Sequence, residues 1–292
     1  MRAKRDTEFA AFRSETSRLA HETDLCLLLE AADRTTLDLA LRAVQDVTNV
    51  RVQRAHIGQQ SFGNRDPFGF TDGVSNLQDL RRCEGERYTD LVFCRAADGE
   101  IAGTYLVFRR YRCFPERLAA GLPVVIADKR GRSTRVLRPD QLVGRCRQTG
   151  SVVSEQTGEL LRAEADERQG AYAFHQSHLR KANPRGSGFT SFGHPVRVDE
   201  ARILRRSYTY ALPGPAKGNV EHGMLFLAFQ SDIQHRGFEF IHNEWLMSDF
   251  NGAPDPLLAP EAGLVEPLTG CYYFVPRRQD DIAAELATLL SQ

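Results

Sequence analysis

From about residue 103 onward the chain runs through a fixed order of hydrophobic patterns, and that order limits its fold more than any other feature. Thr104 to Tyr111 reads as a strand, and Pro115 to Ala120 as a short helix with proline near its start. Two further strands, Arg202 to Tyr210 and Met224 to Gln230, precede a helix near 233 to 247, where Phe238, Ile241 and Trp245 fall at i, i+3 and i+7. Cys271 to Val275 is a last strand, and Ile282 to Leu290 a terminal helix. Strand, helix, strand, strand, helix, strand is the ferredoxin-like order, in which helices cover one face of an antiparallel sheet. A long polar stretch, about 128 to 200, interrupts it between the first helix and the second strand. An insertion of that length in a compact fold is usually functional or disordered.

The first half offers only the tail of the same order. The apolar run Asp24 to Leu29 reads as a buried strand. Asp33 can then cap a helix whose Leu37, Ala40, Leu41 and Val44 share a face, and Val50 to His56 alternates like a strand. Residues 5 to 20 have helix-forming composition without an apolar stripe, and 58 to 78 is an irregular loop rich in Gly, Asn, Asp and Ser. The expected fold is therefore α+β with two ferredoxin-like domains, a shortened one over 1–102 and a second over 103–292. The shortened sheet leaves an edge that residues 1 to 20 partly fill or a second subunit in a homo-oligomer covers, unless the start of the chain is missing.

Charge narrows the partners. Lys plus Arg equals Asp plus Glu at 38 each, so no whole-protein field gathers nucleic acid or an anionic membrane. No stretch approaches the roughly 20 apolar residues of a membrane span. The N-terminus has charge but no apolar core of a signal peptide, so a cytoplasmic location is expected. None of the six cysteines forms a C-x-x-C pair, and Cys26, inside its apolar run, reads as a reduced, buried thiol.

Three segments carry chemistry. In Gly69-Phe-Thr-Asp72-Gly73, glycines let the backbone come close to a ligand, and a carboxylate whose water shell is thinned can accept and return a proton. In Ser177-His178-Leu-Arg180-Lys181-Ala-Asn-Pro-Arg185, a neutral imidazole is a good axial ligand for haem iron, and the flanking cations suit its propionates. His175 makes an H-x-x-H pair with His178, without the further ligands zinc would need. In the strand around Arg205, Arg205 and Ser207 share one face, and a fixed guanidinium there meets the charge of a peroxide anion. Taken alone, each segment also fits a plainer role: a turn aspartate, a solvated histidine, outward-facing arginines.

Together and in this order, the three segments resemble the dye-decolorizing peroxidase family, whose mark is a Gly-x-x-Asp-Gly loop followed by a haem-ligating histidine and then an arginine. Gly103-Thr-Tyr-Leu-Val107, Val143-Gly-Arg145, Gly223-Met-Leu-Phe226 and Gly270-Cys-Tyr-Tyr-Phe274 extend the resemblance over about 60 to 280. It implies paired ferredoxin-like domains with haem b held between them. His178 is then the proximal ligand, with His175 as the alternative because Ala173 to Ser177 departs from the Cys-Pro-Phe type of many relatives. Asp72 and Arg205 occupy the distal side, Ser207 helps place water or peroxide, and Phe226 and Met224 line the haem. The activity implied is reduction of hydrogen peroxide while an organic reductant, dye-like or phenolic, is oxidised by one-electron steps. Tyr208, Tyr210 and Trp245 are oxidisable, though packing is their simpler role. Two other readings remain open at this point: a haem-handling protein with little turnover, and a non-haem assembly module.

Overall fold

The computed structural model describes residues 26–48, 56–59, 65–72, 86–119, 121–128, 131–154, 173, 176–184, 200–214, 218–248 and 253–277. In chain order the elements are α1 (Arg34–Thr48), α2 (Glu86–Val92), β1 (Cys94–Arg95), β2 (Ile101–Cys113), α3 (Pro115–Leu118), β3 (Leu122–Asp128), β4 (Gly131–Leu137), α4 (Pro139–Val143), α5 (His178–Ala182), β5 (Leu204–Arg205), β6 (Tyr208–Pro213), β7 (Val220–Gln230), α6 (Phe238–Phe240) and β8 (Val265–Pro276). A π-helical turn, Ile241–Leu246, continues α6, and a 3₁₀ turn, Pro260–Ala262, precedes β8.

β2 is the spine. It pairs antiparallel with β7 from Tyr105 opposite Gln230 to Cys113 opposite His222. Its other edge takes β8, from Gly103 opposite Pro276 to Cys113 opposite Val265. β5 and β6 both lie on the outer edge of β7, so the sheet runs β8, β2, β7, then β5 with β6. That is the ferredoxin-like strand arrangement the sequence order called for, and the protein is α+β. The short β1 adds a hairpin against Gly103 and Ile101.

Both faces of β2 are covered, which is why its sequence is apolar in both phases. Val107 packs with Ala228, Ile233, Phe238 and Tyr272 on the face that meets α6. Leu106 packs with Tyr210, Leu225 and Leu227 on the other. Burying each such leucine or phenylalanine contributes about 1.5–3 kcal/mol. Phe238, Ile241 and Trp245 are all buried as their spacing predicts, but helix winding starts only at Phe238 and widens at once into the π turn. Single π turns of this kind frequently mark functional sites.

Three expectations need correction or extension. The run Asp24 to Leu29 forms no strand over its described part, and Leu27 and Leu28 are exposed. An apolar run makes a strand only where a partner edge takes its hydrogen bonds, and none does so among the described residues. Cys26 is half-buried and unbridged, its thiol pushed up to about 11, first by burial and then by the neighbouring Cys271. The start of the polar stretch, at about 128, falls in a regular antiparallel hairpin of β3 with β4, paired from Leu122 opposite Leu137 to Asp128 opposite Gly131.

The α1 expectation stands: Asp33 Oδ1 accepts the Thr36 N–H at 2.9 Å, and Leu37, Ala40, Leu41 and Val44 are its less exposed face. The expected strand 50–56 lies largely, and residues 5–20 and the terminal helix entirely, outside the described residues. Among the described residues no helix is long and apolar enough to cross a membrane.

Candidate active site

His178 opens α5, a helix of one turn started by the fully buried Ser177, whose Oγ accepts the Arg180 N–H at 3.3 Å. The imidazole Nδ1 lies 2.9 Å from Asp255 Oδ2, and a carboxylate there requires the ring proton on Nδ1. Nε2 is thereby left as the nitrogen suited to a metal. Asp255 has no solvent exposure, and its Oδ1 accepts the N–H groups of Leu257 at 2.9 Å and Leu258 at 3.0 Å. It is thus fixed from behind and cannot follow the ring if the ring turns. Lys181, also fully buried, donates from Nζ to the Ser248 carbonyl at 3.0 Å and to that of Ala253. Together these bonds tie α5 to the segment leading into Asp255, while the His178 side chain itself stays 27% exposed. One nitrogen is anchored and the rest of the ring is accessible.

The loop carrying Asp72 is built around Asp66. Its Oδ1 accepts the N–H groups of both Phe68 and Phe70 at 2.9 Å. The backbone closes on itself through Asp66 N–H to Phe70 carbonyl and Gly69 N–H to Asp66 carbonyl, with Gly69 at φ 83°, where a glycine is at ease. Phe70 is driven into a core of Leu118, Leu137, Leu142, Leu257 and Leu264. Thr71 binds the neighbouring loop, N–H and Oγ1 to the Arg147 carbonyl and Oγ1 to that of Gln148 at 3.0 Å. Asp72 follows directly and is exposed.

Arg205 meets Asp72 electrostatically. Dehydration lowers the Arg205 guanidinium from its ordinary value, and the Asp72 charge acts against that shift. Arg205 is nonetheless exposed to solvent. β5 and β6 keep one register along β7 across the break at Arg206 and Ser207, which sets Ser207 opposite Phe226 and Arg205 opposite Ala228. Arg205, Ser207 and Phe226 therefore share the face of the sheet that meets α6, as the alternation predicted.

A connected set of contacts links the two sides. Gly144, at φ 88°, packs so closely on α5 that a Cβ there would lie 2.7 Å from Ser177 Oγ, and the loop following it is the one that binds Thr71. Phe226 packs on Phe238 at 5.8 Å between ring centroids, and Phe238 stacks on His242 at 5.4 Å with the planes 13° apart. Burial, with the Arg109 charge adding to it and Asp255 opposing it, pushes the His242 imidazole down to about 4. Arg109, buried on β2, lies over Phe238 and Tyr272 and donates to the Tyr272 hydroxyl at 3.2 Å. Asp255, His242 and Arg109 were not picked out from the sequence. Asp255 stands between two prolines and Arg109 interrupts an apolar strand, which were the available signals.

Of the residues read from the sequence, Asp72 and Arg205 are brought together, as are Ser207 and Phe226. Arg180, two residues beyond His178 on a helix, lies on a different face. Tyr210 and Trp245 are buried, Tyr210 donating to the Tyr111 carbonyl at 2.9 Å and Trp245 packing edge-on to Phe240. The Tyr208 hydroxyl accepts from Arg206. Gly73 and His175 lie outside the described residues.

The family model for Dyp-type peroxidase, C-terminal, matches residues 63–280. The chain belongs to the Dyp-type peroxidase family. It is 30% identical over 231 residues to the deferrochelatase of Escherichia coli (strain K12), a match covering 74% of this chain and 48% of that protein. It is 25% identical over the same length to the deferrochelatase of Shigella flexneri, with the same coverage. The chain thus spans about half the length of the curated relatives it matches. In fold it resembles the DyP-type peroxidase from Cellulomonas bogoriensis, with TM-score 0.57 and 20% identity over 87% of this chain and 64% of that one. The Anabaena sp. DyP-type peroxidase gives TM-score 0.57 and 20% identity, covering 87% of this chain and 66% of that one.

Proposed function

We propose that this Dyp-type chain holds haem b through His178 and reduces hydrogen peroxide while oxidising a small organic donor in one-electron steps. The observation that carries the reading is an imidazole anchored through Nδ1 by a buried carboxylate, linked through one set of contacts to a charge-coupled Asp72 and Arg205. The donor chemistry fits the cofactor: a neutral, oriented imidazole on one side, an acid–base group and a fixed cation on the other, and aromatic Phe226 beside them. Bound there, haem supplies the redox-active iron.

The chain's residues do the rest. Asp72 would take a proton from one oxygen of the peroxide and return it to the other, directly or through a water. Arg205 stabilises the negative charge that develops as the O–O bond breaks. Ser207 holds water or peroxide, Gly73 lets the loop backbone approach closely, and Arg180 is offered to a propionate. The division into 1–102 and 103–292, a cytoplasmic setting, partners limited to peroxide and a small-molecule reductant without nucleic acid or membrane, and a homo-oligomeric state complete the proposal.

The test is a stopped-flow absorption experiment on the haem-loaded protein with one equivalent of hydrogen peroxide. The reading expects a fast spectral change, slowed about 10²- to 10⁴-fold in Asp72→Asn and in Arg205→Leu. Haem bound but indifferent to peroxide would turn the account toward haem handling. No specific haem band would turn it toward an assembly module.

A further inference from the structure

The Asp72 loop contains a second carboxylate, Asp66, and its surroundings give it more to do than close a turn. Its oxygen Oδ1 gathers two backbone N–H groups, those of Phe68 and Phe70, and so fixes the path of the chain toward Asp72. Among the described residues no basic side chain pairs with it. Arg65 directs its guanidinium away, to the carbonyls of Gly69 and Arg147. Arg147, on the neighbouring loop, lies over the Phe70 ring at 5.2 Å. From β2 the facing group is Cys113, whose thiol burial pushes up to about 12, so it stays protonated. Asp72 is a charged neighbour among the described residues, and it repels Asp66. Burial first, against the pull of the backbone N–H groups, and Asp72 in addition, raise the Asp66 carboxyl to about 6. Two carboxylates on one short loop, with only one of them exposed, are thereby coupled through charge and through the backbone between them.

We propose that Asp66 is a positioning residue that acts on the peroxide chemistry through Asp72, holding the loop while charged and releasing it, and its repulsion of Asp72, on taking up a proton. A neutral carboxyl is a weaker acceptor for the Phe68 and Phe70 N–H groups, so the six-residue path to Asp72 loosens as the charge is lost. The inference rests on the peroxidase reading and adds a proton-controlled setting of its distal group.

Asp66→Asn separates the two roles, because the amide oxygen keeps the acceptor while the charge disappears. Two measurements on the full chain decide the matter. In the haem-loaded protein, the rate of reaction with hydrogen peroxide is followed from pH 4.5 to 8. The wild type should show a step of about tenfold centred near 6, absent from Asp66→Asn. In the haem-free protein, ¹³C NMR of labelled aspartate carboxyls should show the Asp72 resonance responding as Asp66 titrates, with that response lost in Asp66→Asn. A step that survives in Asp66→Asn, or an Asp72 resonance indifferent to Asp66, overturns the proposal. If the loaded protein ignores peroxide at every pH, the peroxidase reading fails by itself, and the NMR arm still decides whether the two carboxylates are coupled.

Discussion

Asp255→Asn isolates the bond that orients the proposed iron ligand. The aspartate uses its two oxygens for separate tasks: Oδ1 holds the turn through Leu257 and Leu258, and Oδ2 accepts from His178 Nδ1 at 2.9 Å. Asparagine retains a carbonyl for the turn, so the fold is preserved, but it turns an NH₂ toward an N–H. Asp255 has no solvent exposure, so water cannot enter to mediate. Relief requires either rotating the ring or moving its proton to Nε2, and either change takes the metal-binding nitrogen out of service. A hydrogen bond to a charged group is worth about 1.5–3 kcal/mol. At about 1.4 kcal/mol per tenfold, haem affinity should fall about 10- to 100-fold, the usual cost of removing a partner behind a metal-bound histidine. The assay is haem titration of the apo variant at pH 7, followed at the main haem band, with circular dichroism to verify the fold. Unchanged affinity and an unchanged ferric/ferrous midpoint would refute the claim that Asp255 orients His178.

Three other outcomes follow from the same structure. Phe70→Ala removes the side chain that seats the Asp72 loop in the leucine core and should cost about 3–5 kcal/mol in chemical denaturation, with a slower peroxide reaction in the protein that remains folded. Gly223→Ala places a Cβ 2.2 Å from the Tyr111 carbonyl oxygen and from the Tyr210 ring, so the sheet must shift; a loss of at least about 2 kcal/mol in the unfolding midpoint is expected. The neutral His242 gives an acid-side signature. Its folded value, about 4, lies below the ordinary imidazole value of 6.5, so its contribution is present above 6.5 and is lost as pH falls through 4. His242→Gln should flatten the stability profile across that window, by an amount on the order of 3 kcal/mol, and an equally steep acid limb in the variant would count against the neutral buried ring.

The sheet was readable because β2 and β7 carry buried residues along most of their length and because the strand and helix segments fall in the right order. Arg205 and Ser207 could be assigned to one face by period alone, since the register on β7 holds across the break between β5 and β6. Asp72 was legible through its flanking glycines. What escaped depended on contacts between segments far apart in the chain. Asp255 reaches His178 across 77 positions, a pairing that no local period encodes. His242 looked like one more helix residue, since its meaning comes from stacking on Phe238 inside a π turn. Leu27 and Leu28 misled for the opposite reason: the apolar run is plain in the sequence, but whether an edge accepts it is a property of the whole fold.

The measurement that bears most directly on the account is the ferrous resonance Raman spectrum of the haem-loaded protein, recorded for wild type and for His178→Gly with and without added imidazole. The account predicts an iron–histidine stretch in the wild type, its loss in His178→Gly, and its return when imidazole fills the space left by the side chain. An iron–histidine stretch that persists in His178→Gly without imidazole would contradict it, and would assign the metal to His175 or another histidine.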